Sequence, residues 1–228
     1  MRLTNVLEFS PPKIHGGDRS ASAADKKMKT IKAILTGIRP LIMHNSQMID
    51  PDNPFVQRLA ALRRARKKLK KDDYAGQEKI RRETDRCEWE GSLYWTEDVG
   101  LYVPGENLFA CFQEASKKTK SGKQFNQAVV PFPDALPIVC EGRKRNLDTL
   151  FADKAFQFRR AVRIPPRTGG RQMKVRPMIP VGWKIEIEVE FDEQILPKAD
   201  LIEAIETAGL LFGLGDWRPR FGRFTAEF

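Results

Sequence analysis

Eight consecutive residues, KIEIEVEF at positions 184–191, alternate strictly between charged and apolar side chains. Successive side chains of a β-strand point to opposite faces, so a period of two is typical of a strand with one face in the core and one in solvent. Ile185, Ile187, Val189 and Phe191 would point inward, while the lysine and the three glutamates would point outward. The segment therefore predicts a half-buried strand, and the remaining elements must supply a sheet for it.

Other segments predict the partners of this strand. Residues 28–38 are apolar on both faces of a period-two pattern, which indicates a central strand. Apolar residues at helical spacing predict a helix at 55–71, with Asp52 or Asn53 as its cap and Pro54 at its first position. Further helices are predicted at about 76–89, 103–120 and 197–212, an aromatic hairpin at 92–104, and strands at 136–140, 155–163, 173–179 and the C terminus.

Without its insertions, the chain has the element order strand, helix, strand, strand, helix, strand. This order predicts the α+β class, with a ferredoxin-like (RRM-like) antiparallel sheet and helices on one face. We expect a single domain over 28–228, interrupted by a helical insertion at about 52–90, an irregular insertion at 121–154 and a basic hairpin, the finger, at 158–177. Residues 1–27 are expected to be a flexible tail, because 10–27 contain many small residues and few large apolar ones.

The chain carries 40 lysines and arginines against 30 aspartates and glutamates, a formal net charge of +10. Such an excess of cations favours polyanionic partners, either nucleic acid or an acidic membrane surface. No apolar run approaches the ~18 residues that a membrane span requires, and the N terminus lacks the apolar core of a signal peptide. We therefore expect a cytoplasmic protein with no membrane partner.

The sequence gives little sign of metal or cofactor chemistry. Cys87, Cys111 and Cys140 stand far apart and are expected to be reduced, structural thiols. There is no CxxC, no HxxxH, no spaced acid cluster and no Walker-type loop. No metal and no cofactor are predicted.

The finger, FRRAVRIPPRTGGRQMKVRP, contains seven cations in twenty residues and no acid. Arginines placed in this way can contact phosphate oxygens in pairs and release counterions, so we expect affinity for a polyanion to fall steeply with salt. Phe158 and Met173 lie among the cations and could meet base faces. The predicted phosphate contacts are Arg159, Arg160, Arg163, Arg167, Arg171, Lys174 and Arg176 in the finger, and Arg64, Lys67 and Lys68 in the helical insertion.

The C-terminal segment, LFGLGDWRPRFGRFTAEF, combines glycines, arginines and aromatics. Gly213, Gly215 and Gly222 permit positive φ and close backbone approach, so we expect a tight loop before a final strand. Trp217 and Phe221 could stack on bases, which is worth ~1–3 kcal/mol per base and tolerates any sequence. Arg218, Arg220 and Arg223 would add charge beside them, and Phe224 and Phe228 are expected to point into the core.

Three stretches resemble the RRM-like proteins of the repeat-associated (RAMP) superfamily, which includes the backbone subunits of CRISPR effector complexes. KAILTGIRPLIMHN resembles their first strand and the loop after it, and YVPGENLFACFQEA resembles the turn that opens their first core helix. The C-terminal segment resembles their glycine-rich loop and last strand, although the chain is shorter and has Trp217, Arg218 and Pro219 where they carry small residues. GDWRPRFGRF also resembles small phage-encoded proteins, which would place the chain in the host cytoplasm. The resemblance implies nucleic-acid binding.

These features together predict a non-enzymatic, largely sequence-independent binder of single-stranded nucleic acid, with self-association along the strand. The residues do not separate DNA from RNA, because that distinction depends on contacts to the 2′-OH. Two alternatives stay open. His44, followed by Asp50 and Asp52, could act as the general base of a RAMP-type endoribonuclease. The basic surfaces could instead bind an acidic protein partner in an assembly.

Overall fold

A computed structural model of the chain describes residues 28–140, 146–163 and 170–228, with the backbone alone at Arg163. Over this part the protein is a mixed α+β structure of small antiparallel sheets and several helices. The predicted tail at 1–27 lies outside the described residues, as do 141–145 of the predicted irregular insertion and 164–169 of the predicted finger.

The helices are α1 (Pro54–Lys68), α2 (Tyr74–Gly91), α3 (Gly105–Lys118), α4 (Gly122–Ala128), α5 (Leu147–Ala152) and α6 (Lys198–Thr207). The strands are β1 (Met28–Gly37), β2 (Leu41–Ile42), β3 (Trp95–Thr96), β4 (Gly100–Pro104), β5 (Ala135–Pro137), β6 (Gln157–Arg163), β7 (Arg171–Ile179), β8 (Lys184–Asp192) and β9 (Phe224–Glu227). Short 3-10 turns lie at Ser46–Ile49 and Lys154–Phe156, and a wide helical turn at Ala208–Phe212 continues α6.

The first sheet has the order β8-β1-β9, with β1 antiparallel to both neighbours. β1 is therefore central, as predicted. The strict alternation in β8 is also confirmed, because Ile185, Ile187, Val189 and Phe191 are buried while the three glutamates between them are exposed. Beyond β8, Val129 and Val139 each form an isolated antiparallel bridge to it, with Phe191 and Lys184 respectively.

The second sheet has the order β2-β7-β6, and the short connections at 38–40 and 180–183 join it to the first sheet; we call these connections the bend. The chain passes through the bend twice, once from β1 to β2 and once from β7 to β8. Trp183 fills the bend, because its side chain is fully buried and its indole N–H donates to the Arg39 carbonyl oxygen at 2.9 Å. Trp183 therefore anchors the connection between the first sheet and the second sheet, which contains β6 and β7.

The core lies between the inner face of the first sheet and the helices α3 and α6. Leu108, Phe112 and Ala115 of α3 are fully buried, which agrees with the predicted apolar side of this helix. Phe112 contacts Phe224 of β9 with ring centroids 6.4 Å apart. A third small sheet, β3-β4-β5, contains the predicted aromatic hairpin as β3 and β4.

Several boundaries differ from the prediction. α1 ends at Lys68 rather than at residue 71, and its cap is Asn53, whose side chain accepts from the Phe55 N–H. The prediction of an irregular stretch over 121–154 is wrong where it misses α4 and α5, two helices of seven and six residues that are too short for a clear period. Phe228 was expected inside, yet it is 48% exposed because β9 ends one residue before it.

Candidate nucleic-acid interface

Backbone hydrogen bonds attach the C-terminal loop between α6 and β9 to the bend between the first and second sheets. The Asp216 N–H donates to the Ile42 carbonyl oxygen at 2.8 Å, and the Gly222 N–H donates to the Pro40 carbonyl oxygen at 2.8 Å. Gly215 and Gly222 have φ of +76° and +72°. A Cβ on Gly222 would lie 1.8 Å from the Leu214 carbonyl oxygen, so only glycine fits there.

This attachment brings the loop against the face of β6 that carries Phe158. The Phe158 ring lies 5.1 Å from the Trp217 ring and 5.2 Å from the Phe221 ring, both edge to face. Trp217 has φ of +61° and is 37% exposed. Three aromatic rings from two distant parts of the chain therefore form one cluster that reaches solvent.

Two arginines border this cluster. The Arg160 guanidinium lies over the Phe158 ring at 5.7 Å, and the Arg220 guanidinium lies over the Phe221 ring at 5.7 Å. Both residues are exposed. We call Phe158, Arg160, Trp217, Arg220 and Phe221 the aromatic surface. It offers ring faces and edges for bases beside unneutralised charges for phosphates.

Other cations predicted for the finger are already engaged by α2. The Arg159 guanidinium donates to the Asp85 carboxylate at 2.8 Å. Lys174 and Arg176 reach the same helix, where Lys174 pairs with Glu88 at 2.5 Å and Arg176 donates to the Ser92 hydroxyl at 2.8 Å. These three side chains fasten the hairpin β6–β7 to α2. They contribute less to a phosphate surface than their number in the sequence suggests.

The remaining predicted site residues have mixed environments. Arg171 is exposed at the start of β7, and Arg218 lies 3.7 Å from Glu114 of α3. Arg223 is half-buried, and its carbonyl oxygen accepts from the Ile38 and Arg39 N–H groups. The Arg163 side chain and the whole of Arg167 lie outside the described residues.

His44 lies at a cleft of about 230 Å³ beside the aromatic surface, with Tyr94, Asn107 and Asp216 also in its lining. Its Nδ1 is 3.7 Å from the Asp216 carboxylate, which is too long for a hydrogen bond. Partial burial lowers the pKa of His44, and the nearby charges of Arg176 and Lys174 lower it further against the opposing effect of Asp216. His44 is therefore held neutral near pH 7.

The outer face of the first sheet has the opposite charge. Glu186, Glu188 and Glu190 of β8 and Glu227 of β9 are exposed there. Lys32 on the same face is paired with Glu188 at 2.7 Å. A groove of about 820 Å³ crosses this face and is lined in part by apolar side chains. Because glutamates repel phosphates, the outer sheet face is a poor surface for nucleic acid.

The cations Arg64, Lys67 and Lys68 are all exposed on α1. α1 packs on α2, and α2 packs on β7. These three residues therefore form a second basic surface, on a helix whose main contacts are with α2.

Sequence reasoning missed Asp85 and Glu88, the acids that neutralise part of the finger. Both are buried on the inner face of α2, together with Trp89 and Ser92. The positions 85, 88, 89 and 92 follow helical spacing, so two acids beside a tryptophan on one face were the available signal. A buried acid at such a position requires a cationic partner.

Comparison of the sequence with protein-family models and with curated proteins gives no match. No helix within 28–140, 146–163 and 170–228 is long and apolar enough to cross a membrane. Among these same residues, no group of three or more His, Cys, Asp or Glu side chains is placed to hold a metal ion. Burial raises the pKa of the Cys111 thiol to about 12. The thiol donates a hydrogen bond to the Gly213 carbonyl oxygen at 3.2 Å, which gives Cys111 a structural role.

Proposed function

We propose that the protein binds single-stranded nucleic acid without sequence preference and without catalysis, and that the aromatic surface is the contact site. Bases would stack on Trp217 and Phe221, while Arg160 and Arg220 would contact the phosphates. Stacking depends on a π-face that every base has, which is why no sequence preference is expected.

The single observation that carries this proposal is the packing of Phe158 against Trp217 and Phe221 at 5.1 and 5.2 Å. The cluster is too exposed at Trp217 to be explained by core packing alone. Two arginines border it, and within the described part of the chain no acid forms an ion pair with either Arg160 or Arg220. An exposed ring beside guanidinium groups that form no ion pair within the described residues matches the chemistry of an unpaired strand, whose bases are accessible.

The proposed fold of the core is ferredoxin-like. Support comes from the order β9-β1-β8, from the bridges that Val129 and Val139 form to β8, and from the two helices α3 and α6 that connect these strands. The resemblance to RAMP proteins agrees with such a core. If this fold is correct, the glutamates on the outer sheet face direct nucleic acid to the hairpin side instead of the sheet face that RRM proteins use.

Fluorescence anisotropy with a single-stranded DNA, a single-stranded RNA and a duplex of equal length tests the proposal. We expect both single strands to bind more tightly than the duplex at the aromatic surface. The double variant Arg160→Glu with Arg220→Glu should weaken binding of every single-stranded sequence alike. It should also reduce the slope of log K against log salt by about 1.4, since each lost phosphate contact on a single strand contributes about 0.7.

A matched control is Lys123→Glu with Lys198→Glu, which makes the same change in net charge on α4 and α6. Both lysines are exposed, and these helices pack against α3 rather than against the hairpin. This control should lower affinity only slightly. Equal affinity of the wild type and the Arg160/Arg220 variant would contradict the proposal.

A second candidate function is RNA cleavage at the His44 cleft. The observation that favours it is the neutral His44 with a carboxylate 3.7 Å from Nδ1, which is an arrangement able to take a proton from a 2′-OH. Incubation of labelled RNA with the wild type and with His44→Ala decides between the functions. Cleavage by the wild type and none by the variant would establish the nuclease, and intact RNA with both proteins supports binding alone.

A further inference from the structure

The C-terminal half of α1 and the residues directly after it carry a dense group of exposed cations. Only Leu59 of this helix is buried. Exposed cations follow it, namely Arg63, Arg64, Arg66, Lys67 and Lys68 in the helix and Lys70 and Lys71 directly after it. Within the described part of the chain, none of these seven side chains takes part in an ion pair. We call these seven residues the α1 surface.

The neighbouring helix forms no ion pair with the α1 surface. Four of the five acids of α2 are already used by its own arginines or by the hairpin, and the fifth, Glu83, takes part in no ion pair within the described residues. Glu78 pairs with Arg81 at 2.6 Å and with Arg82 at 2.8 Å, and these contacts lower the pKa of Glu78 to about 2. Asp85 and Glu88 are directed to the hairpin. Within the described residues, the cations of the α1 surface are therefore not neutralised by an ion pair, although the exposed Asp72 and Asp73 follow them directly in the chain.

The distribution of the cations around α1 indicates what it binds. With 100° per residue, the five cations in the helix cover about 200° of its circumference. A flat protein surface contacts a helix along a narrower stripe of about 100°. In the major groove of a nucleic-acid duplex, by contrast, phosphates approach a helix from both sides, and the groove of B-DNA is wide enough to admit one.

The two surfaces also differ in chemistry. The aromatic surface presents rings for unstacked bases, whereas the α1 surface consists of cations, with Tyr74, which is 77% exposed, as the nearest aromatic along the chain. Cations without rings recognise phosphates and do not require unpaired bases. The phosphates of a paired segment of nucleic acid can therefore contact the cations of the α1 surface without any unpaired base.

From these observations we propose that the protein binds junctions between single-stranded and double-stranded nucleic acid. The α1 surface holds the phosphates of the duplex segment, and the aromatic surface holds the adjoining single strand. Only the single-strand part of this inference rests on the proposed function. The acidic outer sheet face of a second copy is the competing occupant of the α1 surface, but a flat sheet contacts only one side of the helix.

The test compares three probes by anisotropy: a blunt DNA duplex, a single-stranded tail, and the same duplex carrying that tail. The wild type should bind the tailed duplex at least roughly tenfold more tightly than either part, because the second contact becomes intramolecular. The variant Arg63→Glu, Arg64→Glu, Lys67→Glu, Lys68→Glu should lose this gain and still bind the tail. Trp217→Ala should bind the blunt duplex normally and the tail weakly.

The charge-matched control changes Lys117, Lys118, Lys123 and Lys198 to glutamate, and it should retain the gain. Circular dichroism of each variant establishes that it is folded. A wild type that shows no gain, or an α1 variant that retains it, overturns the inference. So does an α1 variant that converts a wild-type oligomer into a monomer in the absence of nucleic acid, which would identify a protein interface. If the single-stranded tail alone does not bind the wild type, the proposed function is overturned. Binding of the blunt duplex to the wild type and to the α1 variant then still tests the α1 surface.

Discussion

Trp217 combines an unfavourable backbone with an exposed ring. Its φ of +61° lies in the left-handed region, where an L-residue is less stable by about 1–2 kcal/mol. The ring is 37% exposed and contacts Phe158, so core burial does not explain the conformation. Strained residues of this kind concentrate at functional sites. The backbone bonds of Asp216 and Gly222 to the sheet bend hold the loop in place.

Replacement of Trp217 by alanine should weaken binding of single-stranded oligonucleotides by roughly 5- to 150-fold, which corresponds to the loss of one stacked base. The unfolding midpoint should change little, because the side chain is not part of the core. Phe228→Ala is the control, since Phe228 is an aromatic residue, 48% exposed, on the glutamate-lined face. Similar losses in both variants would contradict the assignment of Trp217.

His44 predicts a pH dependence of stability. Its pKa is lowered in the folded protein by burial and by Arg176 and Lys174, so the unfolded chain binds a proton that the folded protein does not. The free energy of unfolding is therefore highest above the pKa that His44 has in the unfolded chain. It decreases as the pH falls from that pKa to the lower pKa of His44 in the folded protein. Asp216 opposes this effect and reduces its size.

Urea unfolding at about pH 7 and pH 5 measures the effect. The wild type should lose more stability on acidification than His44→Gln, which has no proton to take up at this position. Identical losses in the two proteins would show that His44 does not titrate differently in the folded state.

At the scale of elements, α2 positions the hairpin β6–β7. Glu88 is 2% exposed and pairs with Lys174, while Asp85 pairs with Arg159 at 2.8 Å. A buried acid and a partly buried cation are each unfavourable alone, so the pair fixes where the hairpin lies. Phe158 is on the same hairpin, and the position of the aromatic surface therefore depends on α2.

Glu88→Leu should destabilise the protein by roughly 2–4 kcal/mol, because it leaves Lys174 without its partner at a mostly buried position. The double variant Glu88→Leu with Lys174→Met should recover most of that loss, since both charges are then removed. Chemical denaturation of Glu88→Leu, of Lys174→Met and of the double variant provides the measurement. Additive losses would mean that the two side chains do not interact.

Across the described part of the molecule, exposed acids and exposed cations concentrate on different surfaces. The outer face of the β8-β1-β9 sheet carries exposed glutamates, and the aromatic and α1 surfaces carry exposed cations. Such a separation orients the protein toward a polyanion before contact and accelerates correct association.

Charge reversal on the outer face provides a test at this scale. Glu186→Lys with Glu190→Lys should raise single-strand affinity only a few-fold, through the long-range field, because these residues lie away from the aromatic surface. Anisotropy at two salt concentrations measures the change, which should disappear at the higher one. A gain of more than roughly tenfold that persists in high salt would indicate that nucleic acid lies on the sheet face.

The parts of the fold that were predictable are those in which a residue's environment follows from its neighbours in sequence. The alternation at 184–191 gave the burial of β8 correctly, and Asn53 before Pro54 marked the start of α1. The glycines of the C-terminal segment do adopt positive φ, as expected. Phe228 shows the limit, because its predicted direction depended on a strand that ends at Glu227.

The candidate site was less predictable because its residues come from distant parts of the chain. The cations of the finger are alike in sequence, yet Arg160 is exposed beside an aromatic ring while Arg159 is bound to an acid. Strand alternation places these neighbours on opposite faces, but it does not say which of them the fold brings beside an acid. The seven cations predicted together in the finger therefore have different surroundings, since Arg159, Lys174 and Arg176 contact α2 while Arg160 lies beside Phe158.

The sequence by itself determined most of the longer strands and helices, the excess of positive charge and the glycine-rich loop, since these depend on local conformation and composition. The tertiary structure decided which cations are free and which rings meet. Arg159 and Asp85 are 74 positions apart, and Lys174 and Glu88 are 86 apart. Neutralisation of a charge requires a partner within a few ångströms in space, and only the folded backbone brings such distant residues together.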